Sequence, residues 1–270
     1  RPDGGRDPQG MSATDAAPGA ADPNQAEAAP LAGRVVLVAG AHGGLGREAS
    51  LACAAAGAKL VLLGRKVPRL KRVDEAVARA GGDAVLYPLD LEGAGPDDYA
   101  EMAARIGDAF GGLDGLLHCA ADMPGLTPLE HTDPAAFARA IHVNLTARWW
   151  LTQACLPLMR KAEDAAVVFT VDDPARTSGA YWGGYGIAQA GQEAMVSMLH
   201  AELAGTPVRV SALRPGPMRT RLRASAYVER NDPDAVDPAR YARACVHLLS
   251  RAGVARRGQI WAPPPAGSGT

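Results

Sequence analysis

The residues whose spacing carries most chemistry are Gly40-Ala41-His42-Gly43-Gly44-Leu45-Gly46, between an apolar run and a segment of helical periodicity. A glycine-rich bend at such a junction is a phosphate cradle. Gly40 permits the tight turn, Gly44 lets the backbone approach a pyrophosphate, and Gly46 lets strand and helix pack closely. The helix N-terminus, opened by Leu45, faces the negative charge. Glycine is common at strand-to-helix turns of every kind, so the loop gains its force from its place after the first strand of an alternating chain. The histidines invite a metal reading, but His42, His118, His131 and His142 lack a second ligand at helical or short-loop spacing. Cys53, Cys119, Cys155 and Cys245 form no CxxC pattern. The expectation is no metal, with structural or surface roles for the histidines and reduced, mostly buried thiols.

The elements that must position this loop follow from periodicity. Apolar runs of strand length fall at 34–39, 59–63, 84–89, 113–120, 166–170, 208–213 and 259–261. Helical spacing fills 45–56, 67–80, 96–110, 134–160, 185–204 and 238–250. Runs such as VVLVA and LVLL are apolar at consecutive positions, as strands covered on both faces require. The chain therefore reads as α/β, a Rossmann-type doubly wound parallel sheet of about seven strands in three αβα layers. Ligands of such sheets sit beyond the carboxyl ends of the strands. One of those ends reads Leu63-Gly64-Arg65-Lys66, where a dinucleotide fold that prefers NAD presents an acid to the adenosine ribose. No acid is there. Arg65, helped by Lys66, offers a 2′-phosphate a planar fork of donors, so NADP(H) is preferred over NAD(H); the plainer alternative is a solvated basic helix start.

Size and charge narrow the class. At 270 residues and 47% hydrophobic side chains the chain can bury a sizeable single-domain core. Its 28 Lys and Arg against 29 Asp and Glu leave no field to attract nucleic acid or an anionic membrane. No apolar stretch is long enough to span a bilayer and no basic-then-apolar leader opens the chain, so a cytoplasmic protein is expected. Residues 1–30, rich in Pro, Gly, Ala and Asp, read as a disordered tail in which Met11 is a candidate true start. The ordered domain is expected over 31–263, with a flexible C-terminus over 264–270.

The Gly-x-x-x-Gly-x-Gly spacing resembles that of the short-chain dehydrogenase/reductase family. Matching landmarks run through nearly the whole ordered domain: Asp90-Leu91, Asn144, Tyr185, Pro215-Gly216 and Thr220. Trp182-Gly183-Gly184-Tyr185 and the run from Arg219 to Ala226 are similar to a bacterial branch of oxidoreductases of unassigned substrate. The resemblance implies that Asp90 and Leu91 flank the adenine, that Pro215 and Gly216 lie beside the nicotinamide, that Ala120 and Thr220 also bind the cofactor, and that Tyr185 moves the proton at the substrate oxygen. It also implies a homodimer or homotetramer acting on a small molecule.

Against that family pattern the catalytic end is altered. The family lysine four residues after the tyrosine is Gln189, and the serine thirteen residues before it is Asp172. A free tyrosine titrates near 10, so about one in a thousand is ionised at pH 7 without a nearby cation. A carboxylate beside it disfavours the phenolate further. Carbonyl reduction suffers less than alcohol oxidation, because it needs the neutral phenol as donor. Gln189 could bond the nicotinamide ribose, and Asp172, if protonated, could donate to the substrate oxygen. The family's Asn-Ala-Gly reads Cys119-Ala120-Ala121, which removes an amide that braces neighbouring strands, while Asn144 is retained. Arg219, Arg221 and Arg223 lie in a segment that would close over substrate, where they could select an anionic ligand; the plainer reading, a solvated basic face, is preferred. Two functions are thus open: an NADP(H)-dependent carbonyl reductase with weakened catalysis, or a catalytically inactive nucleotide-binding or regulatory protein.

Overall fold

Five consecutive apolar residues, Val35–Ala39, form β1, and all five are buried because helices cover both faces of the strand. The structure is a computed structural model describing residues 29–227 and 234–264. Most of the expected N-terminal tail, the Met11 start and nearly all of the expected C-terminal segment lie outside the described residues. The other strands are β2 (Lys59–Gly64), β3 (Asp83–Pro88), β4 (Gly115–His118), β5 (Ala165–Thr170), β6 (Val208–Leu213) and β7 (Ile260–Trp261). They make one parallel sheet in the order β3-β2-β1-β4-β5-β6-β7. The order reverses between β1 and β4, which opens a crevice at their carboxyl ends.

The helices are α1 (Gly44–Ala55), α2 (Val67–Arg79), α3 (Pro96–Phe110), α4 (Pro134–Ile141), α5 (Ala147–Met159), α6 (Pro174–Thr177), α7 (Gly183–Glu202), α8 (Arg221–Ala226) and α9 (Ala239–Leu249). Alternate strand residues divide the core into two layers. Leu37, Val61, Leu116 and Phe169 pack under Met102, Leu151 and Val196 of α3, α5 and α7. Val38, Leu60, Leu117 and Val168 pack under Ala49, Leu70 and Leu248 of α1, α2 and α9. No helix among the described residues is long and apolar enough to cross a membrane.

Two differences from the sequence expectation matter for the site. The segment expected as one helix over 134–160 is broken by a π turn, His142–Thr146. Asn144 explains it: its Nδ2 donates to the Ala140 carbonyl at 2.8 Å, engaging an acceptor that the regular ladder would use. The second difference is α6 and α8, two short helices in segments too brief for a periodic signal. Each is capped by a side chain, Asp173 accepting from Ala175 N–H and Thr220 from Arg223 N–H.

Candidate active site

The crevice at the switch point is a cleft of about 690 Å3. Gly40 turns the chain out of β1 with φ +80°, and a Cβ there would stand 2.5 Å from the Ala120 nitrogen, so the ends of β1 and β4 approach closely. A Cβ on Gly46 would stand 2.2 Å from the Gly40 carbonyl oxygen, which is the tight strand-to-helix contact expected of that position. Gly46→Ala should therefore cost about 3 kcal/mol of stability by forced displacement of the loop, seen as a lowered Tm; an unchanged Tm would show the loop to be slack. Gly44 has a further role, because the Thr220 methyl group closes on it from the α8 segment. At the end of the cleft beside β2, Arg65 and Lys66 are exposed on the wall, joined by Arg69 one turn into α2. Their positive charge helps burial to lower the pKa of His42, which lines the same wall.

At the other end, helix α7 begins at Gly183 and buries Tyr185 in its first turn. The Tyr185 hydroxyl donates to Asp172 Oδ2 at 3.1 Å. Burial, then the charge of Asp172, pushes the phenol well above its ordinary value, with Arg148 and Arg176 opposing. Asp172 Oδ1 is taken by Arg176 and by the Asp173 N–H. Both carboxyl oxygens are acceptors in use, so the expected role of Asp172 as a donor to substrate finds no support here. Gln189 lines the cleft too, and its Oε1 accepts the Asp172 backbone N–H at 3.0 Å, which latches the loop after β5.

Beneath this loop lies a buried polar cluster. Arg148, on α5, is 1% exposed. It donates through Nη1 to the Thr170 carbonyl at 3.0 Å and to Gln192 Oε1, and through Nη2 to the Ala120 carbonyl. Thr152 gives its hydroxyl proton to the Arg148 carbonyl at 2.8 Å, so the His118 Nε2 facing Thr152 Oγ1 at 2.9 Å is the protonated nitrogen. Burial keeps His118 neutral.

Gly40, Gly44, Leu45, Arg65, Asp90, Leu91, Ala120, Asp172, Tyr185, Gln189, Pro215, Gly216 and Thr220 all line the one cleft. Gly46 and Asn144 do not. Asn144 works from behind, its side chain bonding Asp122 N–H at 3.0 Å and Asp122 O at 2.7 Å. Arg219, Arg221 and Arg223 line the mouth of the cleft, with Arg219 and Arg221 also exposed; α8 folds over it and brings Tyr227 against Arg223.

A sequence model of short chain dehydrogenases matches residues 34–231. The chain belongs to that family. Among curated short-chain dehydrogenase/reductase relatives it is 34% identical to the uncharacterized oxidoreductase YciK of Escherichia coli K12, over 72% of this chain and 77% of that protein. A solved family structure from Pseudomonas syringae is 38% identical, with TM-score 0.83, covering 87% of this chain and 96% of that one. Another, from Escherichia coli CFT073 and complexed with NADPH, is 32% identical, with TM-score 0.83, covering 88% and 99%. Three residues of this family member escaped the sequence reading. Arg69 follows Lys66 by three positions and Arg148 follows Asn144 by four, so helical spacing from residues already singled out was the available signal. Arg176 stands four after Asp172, but no helix was expected there.

Proposed function

We propose that this oxidoreductase binds NADP(H) in preference to NAD(H) and reduces a small carbonyl compound slowly, through Tyr185 as proton donor. The observation that carries the reading is the Tyr185 hydroxyl itself, protonated, buried in the first turn of α7 and lining the same cleft as the glycine loop. The cradle formed by Gly40, Gly44 and Leu45 fits a pyrophosphate. Arg65, Lys66 and Arg69 fit a 2′-phosphate, and the NADPH complex of the Escherichia coli relative agrees with that choice. Asp90 and Leu91 fit the adenine, and Ala120, Pro215, Gly216 and Thr220 the nicotinamide side. Residues 31–263 then act as one dinucleotide-binding domain, in a cytoplasmic homodimer or homotetramer to which exposed Trp149, Ile187 and Met198 give apolar contact surface.

When bound, NADPH supplies the hydride. The chain supplies the proton: Tyr185 releases it to the substrate oxygen, after exchanging its bond to Asp172 for one to that oxygen. Arg176, held by Asp172, keeps positive charge beside the oxygen as it becomes negative. Because the phenol is held above its ordinary range, reduction should show no alkaline limb from Tyr185 below about pH 10. Tyr185→Phe should lower the reduction rate by about a hundredfold with nucleotide affinity kept. Steady-state reduction across pH, beside NADPH and NADH titrations of both proteins, tests the assignment, and NADPH oxidation that survives Tyr185→Phe in full would refute it.

The second reading, a nucleotide-binding protein without turnover, is favoured by one observation. The single phenol proton points at Asp172, and the family's lysine position holds an amide that bonds backbone. Tight NADPH binding with no carbonyl turnover in a ketone and aldehyde screen would select it.

A further inference from the structure

Arg148 is unusual in chemistry as well as in position. A buried guanidinium ordinarily sits against a carboxylate. Among the described residues Arg148 has no ion-pair partner, and the groups it bonds are two backbone carbonyls and an amide oxygen. Its Nε has no hydrogen-bond partner at all. Burial draws its pKa down to about 10, with Tyr185 and Cys119 pulling the other way, so it is charged at neutral pH. The acceptors are informative. Ala120 and Thr170 stand at the carboxyl ends of β4 and β5, and Gln192 lies on α7 three residues beyond Gln189. The guanidinium therefore ties the two strand ends to the helix that carries Tyr185, and it reaches the cleft wall on the side of Ala120.

We infer that Arg148 is a buried cation behind this site, a positioning residue that fixes the ends of β4 and β5 and makes the cleft favour the reduced, uncharged nicotinamide ring over the oxidised, positively charged one. The inference rests on the NADP(H) reading above. An uncompensated positive charge in a medium of low dielectric repels a second one entering the same pocket. The 2′-phosphate, adenosine and pyrophosphate are common to NADPH and NADP+, so the ratio of their affinities isolates the nicotinamide end.

Calorimetric titration of the full chain with NADPH and with NADP+ tests this directly. The native protein should bind NADPH about tenfold more tightly, the order expected for one charge acting within a pocket of effective dielectric near 20. Arg148→Met should weaken both nucleotides and bring the ratio to within about twofold, whereas Arg148→Lys should keep the preference because it keeps the charge. If Arg148→Met fails to fold, Arg148→Gln, which retains amide donors for the strand carbonyls, takes its place. Equal affinity in the native protein, or a ratio untouched in the neutral variant, overturns the inference while leaving the NADP(H) reading intact. A native protein that binds neither nucleotide removes both.

Discussion

Exchanging Asp172 for serine and Gln189 for lysine in the same chain should raise alcohol oxidation near neutral pH by about a hundredfold or more, within the two to four decades that general base catalysis provides. Three changes act in one direction. The carboxylate that accepts the Tyr185 proton goes, a hydroxyl able to donate to the substrate oxygen arrives, and an ammonium enters one helical turn from the phenol. Arg176, released from Asp172, adds its charge to the same side. Initial rates of NADPH formation from a panel of secondary alcohols give the measurement. If the doubly substituted chain is as slow as the native one on an alcohol shown to bind, the charge around the phenol is not what limits oxidation. Each single exchange should recover less, because Gln189→Lys alone leaves the carboxylate in place and removes the amide that holds its backbone.

Arg65→Glu should weaken NADPH by about a hundredfold and leave NADH within about threefold, since a forked donor to the 2′-phosphate is replaced by a like charge. Lys66 and Arg69 remain on the wall, so a residual salt-sensitive attraction for NADPH persists. The two dissociation constants at fixed ionic strength decide the matter. Parallel loss of both nucleotides would mean that Arg65 supports the loop and does not read the phosphate.

The sheet was legible because its central strands are apolar on consecutive residues, a pattern that only coverage on both faces explains. The glycine loop was legible for a related reason: Gly40 and Gly46 stand where backbone meets backbone, and a sequence can meet that demand in few ways. The catalytic end was legible in identity but less so in contacts. Tyr185, Asp172 and Gln189 were legible, yet nothing in the sequence shows that the loop after β5 uses the Asp172 carboxylate and the Gln189 Oε1 for its own support. Arg148 was passed over because an arginine within a helix ordinarily keeps its charge in water. Only the three-dimensional meeting of β4, β5 and α7 shows that this one does not. The π turn lay beyond reach as well, since hydrophobic periodicity runs through 134–160 and nothing in composition marks one widened turn.

That widened turn has an angular consequence. Each residue of a regular α-helix advances about 100° around the axis, and the π turn absorbs one residue beyond the regular winding before α5 begins. Drawn straight, the same residues would carry everything after Thr146 about a quarter of the way round, and Arg148 would aim past the strand ends instead of between them. The phase of the second half of that rod, and with it the place of Arg148 under the cleft, is set by the amide of Asn144.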